Sequence, residues 1–218
     1  MVTRAPTVKL KKAHGRTNSQ QRWLNRQLND PYVSAAHQEG WRSRAAFKLL
    51  EMNKKNKIIP VGGNIIDLGA APGGWSQVAV KEKAGKVIGI DLLPVEKLQG
   101  AEIIQGDFTD PEMPEKLRRL LNGGADAVIS DMAPNTTGHA KTDHIRIMAL
   151  AELALCFAEE ILNPGGNFVA KVLQGGSEIE LLNQLKKNFK IVKHVKPPAS
   201  RKDSREMYVL ALGYKKKQ

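Results

Sequence analysis

The chain has 218 residues, with 34 lysines and arginines against 22 acidic residues and a formal net charge of +12. That length allows one domain with a sizeable core. No apolar run reaches the roughly 18 residues of a membrane-spanning helix, and the first residues lack the apolar stretch of a signal peptide. The one cysteine excludes a disulfide within the chain and is typical of a reducing compartment, so we expect a cytoplasmic protein.

The positive charge is concentrated at the two ends of the chain. Residues 1–30 hold seven basic residues and one acid, and residues 186–218 hold eleven basic and two acidic residues. Residues 31–185 keep the other 16 basic and 19 acidic residues, a net charge of −3. Basic ends indicate contact with a polyanion, with nucleic acid the first expectation and an anionic membrane the second. A tail kept basic only for solubility is the alternative.

This pattern predicts three parts of the chain. Residues 1–30 are expected to form a basic, largely flexible arm with one short helix from Gln20 to Asn29, ended by proline. Residues 31–214 are expected to form a single domain, followed by a basic tail at 215–218. Three aromatic residues near the short helix alternate with arginines, and they fit stacking on bases as well as packing of the helix: Trp23, Tyr32 and Trp41.

Helices and strands are predicted to alternate after residue 42. Helices are expected from an N-cap at Ser43 to Asn56, and at Gly74–Lys83, Pro114–Leu121, Asp143–Leu162 and Glu178–Lys187. Strands are expected at Asn64–Leu68, Lys86–Ile90, Glu102–Gln105, Asp126–Ser130, Asn167–Leu173, Lys190–Val195 and Met207–Leu212. Repeated strand–helix units predict an α/β, Rossmann-like fold with a mainly parallel seven-stranded sheet and helices on both faces. The last two strands have no helix between them, which predicts an antiparallel edge.

A glycine-rich turn follows the first predicted strand. The run from Ile65 to Trp75 goes from apolar residues through Asp67, Gly69 and Gly73 into a helix, as at the nucleotide-binding corner of such folds. The spacing is not G-x-G-x-x-G, and Pro72 removes one backbone N–H that a pyrophosphate would use. A nucleoside ligand without phosphates suits this turn, and S-adenosylmethionine (SAM) is the main candidate. A tight turn without a ligand is the alternative.

Four predicted strands end in an acid: Asp67, Asp91, Asp107 and Asp131. Ligands of open α/β sheets bind beyond the carboxyl ends of the strands. Asp91 lies 22 residues after Gly69, near the offset of a carboxylate that accepts from ribose hydroxyls. Asp107 is expected to face an adenine amino group, and Phe108 the edge of its ring. Turn or helix caps explain one or two of these acids, whereas a cationic sulfonium suits all four and favours SAM over NAD.

Several longer motifs resemble those of the FtsJ-like (RlmE-type) ribosomal RNA methyltransferases. The resemblance runs in unbroken order over roughly residues 30–214. The matching segments are SRAAFKL at 43–49, IDLGAAPGGWSQ at 66–77, QGDF at 105–108, SDMAPN at 130–135, VAKV at 169–172 with QG at 174–175, and SRKDSRE at 200–206.

The resemblance implies 2′-O-methylation of a uridine ribose in 23S rRNA, within the large (50S) ribosomal subunit, with SAM as methyl donor. The tetrad that such enzymes use falls on Lys48, Asp131, Lys171 and Glu206. The implied cofactor contacts are Gly73, Trp75, Asp91, Asp107 and Asp131. The glycine-rich turn adds Asp67 and Gly69, and the end of the third strand adds Phe108. A fold of the SAM-dependent methyltransferase type is implied as well.

The chemistry explains why such a tetrad is useful. A ribose hydroxyl is a weak nucleophile, so the reaction needs in-line positioning and removal of one proton. Lys171 is expected to be the general base and must be neutral when it acts. Burial and Lys48 lower its pKa, whereas Asp131 and Glu206 raise it. A pair of buried salt bridges is the alternative interpretation of these four residues.

Other functions remain open at this point. The enzyme could act on tRNA or an mRNA cap, or the chain could be a ribosome-assembly factor that mainly binds RNA. No cluster of histidines and cysteines is present in the sequence, so we expect no metal. His139 and His144 are expected at the surface or at a helix start. A monomer is the default expectation.

Overall fold

A computed structural model of the chain describes residue 8 and residues 15–134, 137–175 and 179–215, without the side chains of Ser19 and Trp23. Most of the predicted arm before residue 15, and the tail beyond residue 215, lie outside the described residues. So do Asn135 of the SDMAPN motif and Glu178 of a predicted helix.

Seven strands form one sheet. They are β1 (Ile65–Leu68), β2 (Val87–Asp91), β3 (Glu102–Gln105), β4 (Ala125–Ser130), β5 (Leu162–Leu173), β6 (Phe189–Val195) and β7 (Glu206–Tyr214). Their order across the sheet is β3-β2-β1-β4-β5-β7-β6. The first five are parallel, and β7 runs antiparallel to both β5 and β6. The predicted mainly parallel sheet with an antiparallel edge is confirmed, and β7 lies one place in from that edge.

Helices cover both faces of the sheet, as predicted. They are α1 (Asn18–Leu28), α2 (Pro31–Glu39), α3 (Ala45–Asn56), α4 (Gly74–Lys81), α5 (Met113–Leu121), α6 (Ala140–Ile161) and α7 (Ile179–Asn188). One core packs α5, α6 and α7 against one face, and a second core packs α2, α3 and α4 against the other. Because both faces are covered, the inner strands β1 and β4 are buried along almost their whole length rather than at alternate residues.

Helix α2 was not predicted, because a proline was taken as the end of α1. Pro31 instead begins α2, and the Asp30 side chain accepts a hydrogen bond from the backbone N–H of Tyr32 at 3.1 Å. Proline fits the first helical position because its missing N–H has no partner there anyway.

The predicted N-cap of α3 at Ser43 is also wrong. Arg44 occupies the N-cap position of α3 and makes no side-chain capping bond.

The boundary between α6 and β5 differs from the prediction as well. Helix α6 ends at Ile161, and strand β5 already begins at Leu162 instead of Asn167. The stretch Pro164-Gly165-Gly166, whose residues are typical of turns, lies inside this strand, at a register shift between β4 and β5. A shift of this kind accommodates residues that would interrupt regular pairing. In the part of the chain that is described, no helix is long and apolar enough to cross a membrane.

Candidate active site

A cavity of about 520 Å³ opens at the carboxyl ends of β1, β2 and β4. The residues that line it combine carboxylates with apolar side chains, among them Gly69, Asp91, Asp107, Phe108, Asp131 and Met132. This main cavity lies where strand order places ligand sites in doubly wound sheets. The turn after β1 and three of the four acids named from the sequence, Asp91, Asp107 and Asp131, therefore meet at one edge of the sheet.

The turn after β1 is tightly packed. Gly69 has φ +75°, and a Cβ there would lie 2.5 Å from the Met132 side chain, so only glycine fits. Gly73 has φ +105° and lies against Arg42 rather than in the main cavity. The Arg42 guanidinium donates to the carbonyls of Pro72, Glu96 and Lys97 at 2.7–3.2 Å. Arg42 thereby connects the turn to the segment that follows β2.

Asp91 and Asp107 both line the main cavity. The Asp91 carboxylate accepts backbone N–H bonds from Ala71 and Leu93, each at 2.8 Å. The Asp107 carboxylate accepts from the backbone N–H and hydroxyl of Thr109, and these bonds lower its pKa. A carboxylate has about four acceptor sites, so each acid retains acceptors for a ligand.

Two further residues predicted to contact the cofactor, like Gly73, lie outside the lining. Asp67 is fully buried in β1, where its carboxylate accepts a 2.7 Å bond from the Ser76 hydroxyl. Burial raises the pKa of Asp67 to about 7. Trp75 is 3% exposed, and its indole N–H donates to the Ala45 carbonyl at 2.8 Å. Both residues hold α4 against its neighbours.

The four residues of the predicted tetrad converge beside the main cavity, and we refer to them as the four-residue cluster. Lys171 Nζ lies 2.7 Å from Asp131 Oδ1 and 3.8 Å from Glu206 Oε1. Lys48 Nζ lies 3.8 Å from Asp131 Oδ1 and 3.5 Å from Glu206 Oε2. Strand pairing brings Lys171 and Glu206 together. Leu173, the last residue of β5, lies opposite Glu206, the first residue of β7.

The charges of the cluster shift its pKa values. Burial alone would lower the pKa of Lys171, but the carboxylates of Asp131 and Glu206 outweigh burial and raise it above its usual value. Burial alone would raise the pKa of Asp131, but the ammonium groups of Lys171 and Lys48 lower it. At neutral pH the cluster therefore holds a charged Lys171 beside an ionised Asp131.

Tyr208 is a further member of the site that the sequence did not reveal. Its hydroxyl donates to Asp131 Oδ1 at 2.6 Å and accepts from Lys48 Nζ at 3.0 Å. The side chain is fully buried, and its ring lies 5.6 Å from that of Trp75. In sequence it sits among apolar residues of a predicted strand. The useful signal was its position two residues after Glu206, which points its side chain to the same face of β7.

The sequence placed His139 and His144 at the surface or at a helix start and predicted no metal site. Among the described residues, no group of three or more histidines, cysteines and acids is placed to hold a metal ion. His139 is the N-cap of α6, as expected for a helix start. His144 departs from the expectation, because it lies inside α6 and is only 8% exposed.

Comparison with known proteins gives a consistent family. The sequence model of the FtsJ-like methyltransferases matches residues 41–214. Two similar proteins are named ribosomal RNA large subunit methyltransferase E. The one from Gluconobacter oxydans is 65% identical over 97% of this chain and 79% of that protein. The one from Granulibacter bethesdensis is 60% identical over 97% of this chain and 92% of that protein. A solved structure described as a ribosomal RNA methyltransferase from Plasmodium falciparum matches with a TM-score of 0.71 at 30% identity, over 80% of this chain and 98% of that one. The chain belongs to the FtsJ-like methyltransferase family.

Proposed function

We propose that the protein transfers a methyl group from SAM to the 2′-hydroxyl of a uridine ribose in 23S rRNA of the large ribosomal subunit. The observation that carries this proposal is the double role of Asp131, which lines the main cavity and also belongs to the four-residue cluster. A ligand in the cavity and a hydroxyl group at the cluster would therefore meet at one residue. The names of the relatives support ribosomal RNA as the substrate.

The residues of the main cavity fit SAM. Asp91 can accept from ribose hydroxyls, and Asp107 from an adenine amino group. The Phe108 ring, which packs edge-on against Phe157 at 6.0 Å, offers an apolar contact for a base. Acidic lining suits a cationic sulfonium and disfavours a pyrophosphate. When bound, SAM supplies an electrophilic methyl group and a neutral leaving group.

Lys171 acts as the general base in this proposal. Its ammonium must first lose a proton, because Asp131 and Glu206 keep it charged at neutral pH. Lys48 pairs with both carboxylates and donates to Tyr208, which fixes the position of Asp131. The reaction then needs only alignment of the hydroxyl and removal of its proton.

The cofactor assignment predicts the effect of Asp91→Ala. The change removes the expected acceptor of the ribose hydroxyls and frees the N–H groups of Ala71 and Leu93. We expect the Kd for SAM, measured by calorimetry, to rise about tenfold or more. Asp110→Ala is a matched control, because Asp110 lies outside the main cavity and accepts only a local N–H bond from Glu112. An unchanged Kd in Asp91→Ala would reject this placement of the cofactor.

The activity itself is tested by transfer of labelled methyl groups from SAM. The substrates are unmodified 50S subunits, naked 23S rRNA and tRNA, and the modified ribose is then mapped. We expect label in 50S subunits, on a uridine 2′-oxygen. Lys171→Ala should reduce the rate about 10²–10⁴-fold, the usual range for a general base, while SAM still binds.

Each other outcome identifies a different error. Label mainly in tRNA would keep the chemistry and replace the substrate. Near-normal turnover in Lys171→Ala would remove Lys171 as the base. Absence of label in all three RNAs, despite measurable SAM binding, would favour an assembly factor that acts by binding RNA.

We further propose that the enzyme acts as a monomer in the cytoplasm, where ribosomal subunits are assembled.

A further inference from the structure

A second cavity, separate from the main one, lies beside the start of α6. Its volume is about 250 Å³, equal to roughly eight water molecules at about 30 Å³ each. It is therefore large enough for one small planar ring system. Its lining consists of Ala140, Lys141, His144, Ile145, Gly175 and Arg205.

His144 is the unusual residue in this lining. It is 8% exposed, and neither ring nitrogen meets a hydrogen-bond partner among the residues that the structure describes. An unpaired buried polar group is unfavourable, so such groups call for an explanation. A ligand in the second cavity would provide one, because a small turn of the ring would point a nitrogen at it. The imidazole ring also offers a flat face for stacking.

Arg205 and Ile145 complete a surface suited to a planar group. The Arg205 guanidinium donates to the Gln174 carbonyl at 2.7 and 3.2 Å, which fixes its plane. Ile145 is 64% exposed, although it is a large apolar side chain. Lys141 adds a positive charge at the same wall. Imidazole and guanidinium planes are surfaces on which RNA-binding proteins stack unpaired bases, and lysine attracts the attached phosphates.

The second cavity adjoins the four-residue cluster. Arg205 immediately precedes Glu206, and Gln174 pairs with Arg205 through a 2.9 Å backbone hydrogen bond. Gly175 follows Lys171 by four residues, which is at most about 13 Å of extended chain. A nucleotide held in this cavity would thus be close in space to a ribose held at Lys171.

We propose that the second cavity receives the base of an unpaired nucleotide that flanks the target nucleotide. This inference rests on the proposed function, because it extends the RNA substrate beyond the target ribose. A base fits the lining better than a lone phosphate does, since apolar side chains form much of the wall and His144 can bond to a base edge. The cavity would align the RNA strand and would help to select the sequence beside the target.

The test uses base-specific chemical footprinting of unmodified 50S subunits. Reagents that modify the exposed edges of all four bases are applied with and without wild-type enzyme. We expect the enzyme to shield one base next to the target. His144→Leu and Ile145→Ala should restore the reactivity of that base and leave the rest of the footprint intact. Ile145 is exposed, so its variant should fold normally even if His144→Leu does not.

Kinetics give the second measurement. For Ile145→Ala we expect KM for 50S subunits to rise about tenfold, with kcat and the Kd for SAM within twofold of wild type. Leu153→Ala is the matched control, because Leu153 is a 46% exposed apolar residue on the same helix outside the cavity. Its footprint and KM should equal those of the wild type.

The contrary outcomes separate this inference from the proposed function. A wild-type enzyme that methylates subunits but shields no base beside the target overturns the role of the cavity alone. Unchanged shielding and KM in Ile145→Ala, or equal effects in Leu153→Ala, overturn it as well. An enzyme that neither methylates nor binds subunits overturns the proposed function first, and this inference with it.

Discussion

Asp131 is the residue on which the site depends most. Its Oδ1 atom lies within 2.6–2.7 Å of both the Tyr208 hydroxyl and Lys171 Nζ. Lys171 Nζ also donates to the backbone carbonyl of Asp131 at 2.8 Å. Since these groups are largely buried, water competes weakly with them and the geometry is fixed before any ligand binds. A small change at any of them should therefore be felt in the reaction.

The pKa of Lys171 predicts how the rate depends on pH. Its pKa is raised above the usual value for lysine, so only a small fraction is neutral at pH 7. The neutral fraction grows about tenfold per pH unit below that pKa, and we expect kcat to rise in the same way through the alkaline range. Lys171→Arg keeps the charge but cannot lose its proton, so it should be inactive at every pH. A flat wild-type profile would contradict the general-base role.

Tyr208→Phe tests the hydrogen bonds that hold Asp131 and Lys48. The change removes one hydroxyl and keeps the ring packed on Trp75. We expect kcat to fall about tenfold while the Kd for SAM stays unchanged, because a lost buried hydrogen bond is worth about 1–3 kcal/mol.

Tyr214→Phe is the control for Tyr208→Phe. It removes a hydroxyl that donates to the Glu159 carbonyl at 3.0 Å, away from the cluster. We expect Tyr208→Phe and Tyr214→Phe to lower Tm by similar amounts. Only Tyr208→Phe should lower kcat. Equal kcat values in the two variants would show that Tyr208 serves stability alone.

At the scale of helices and strands, the parts that depend on local pattern were predictable. Apolar runs identified the strands, and the acids at the ends of β2, β3 and β4 marked the edge at which the main cavity opens. Pairing of β5 with β7 is not local, and so the position of Tyr208 beside Asp131 could not be derived from either stretch alone. The four-residue cluster was named only through a family resemblance, because Lys48 by itself reads as a helix lysine reaching solvent.

The segment between β6 and β7 is attached to α2 and α3 by charged side chains. Asp30 Oδ2 lies 3.1 Å from both Arg44 Nη1 and Arg201 Nη2. Glu51 accepts the backbone N–H of Ala199 at 2.7 Å. These contacts hold the chain that leads into Glu206, and they place Asp30 as a positioning residue for the cluster.

Asp30→Asn should therefore affect both stability and rate. Asparagine keeps the N-cap of α2 but removes the charge that pairs with Arg44 and Arg201. We expect Tm to fall by about 5 °C, since breaking a buried ion pair is unfavourable by a few kcal/mol. We also expect a lower kcat with an unchanged Kd for SAM, because no residue of α2, α3 or the β6–β7 segment lines the main cavity.

The exposed acid Glu115 provides the comparison for Asp30→Asn. It pairs with Arg118 and Arg119 on α5, and its side chain is 58% exposed. Surface pairs of this kind contribute little, so Glu115→Gln should leave Tm and kcat almost unchanged. If Asp30→Asn behaved in the same way, the contacts between α2, α3 and the β6–β7 segment would be irrelevant to the site.

For the molecule as a whole, the division of charge is the main guide to how it meets RNA. The domain between the two ends is slightly acidic, whereas residues 1–30 and 186–218 are strongly basic. Charge of this kind governs encounter and affinity more than it governs fold. For that reason the overall charge pointed to a polyanion from sequence alone, while the cavities that we propose for SAM and for an RNA base form only in the folded chain.

Deleting residues 1–25 should weaken RNA binding and its dependence on salt. The deleted stretch holds six basic residues, and each lost phosphate contact should reduce the steepness of log affinity against log salt by about 0.7–0.9. Replacing the same six residues by glutamine keeps the chain length and isolates the effect of charge. Fluorescence anisotropy with labelled rRNA over a salt series measures both. An unchanged slope in the glutamine variant would mean that the arm does not contact phosphates.

The position of β7 as the last strand of the chain has a consequence for the newly made protein. Proteins are synthesised from the N-terminus, so the residues of the main cavity, up to Leu150, are all translated before Glu206 and Tyr208. Lys48 and Tyr208, which bond to each other, are 160 positions apart. The nascent chain thus contains every residue that lines the main cavity while it still lacks two groups of the proposed reactive centre. Catalytic competence is among the last properties that this chain acquires during translation.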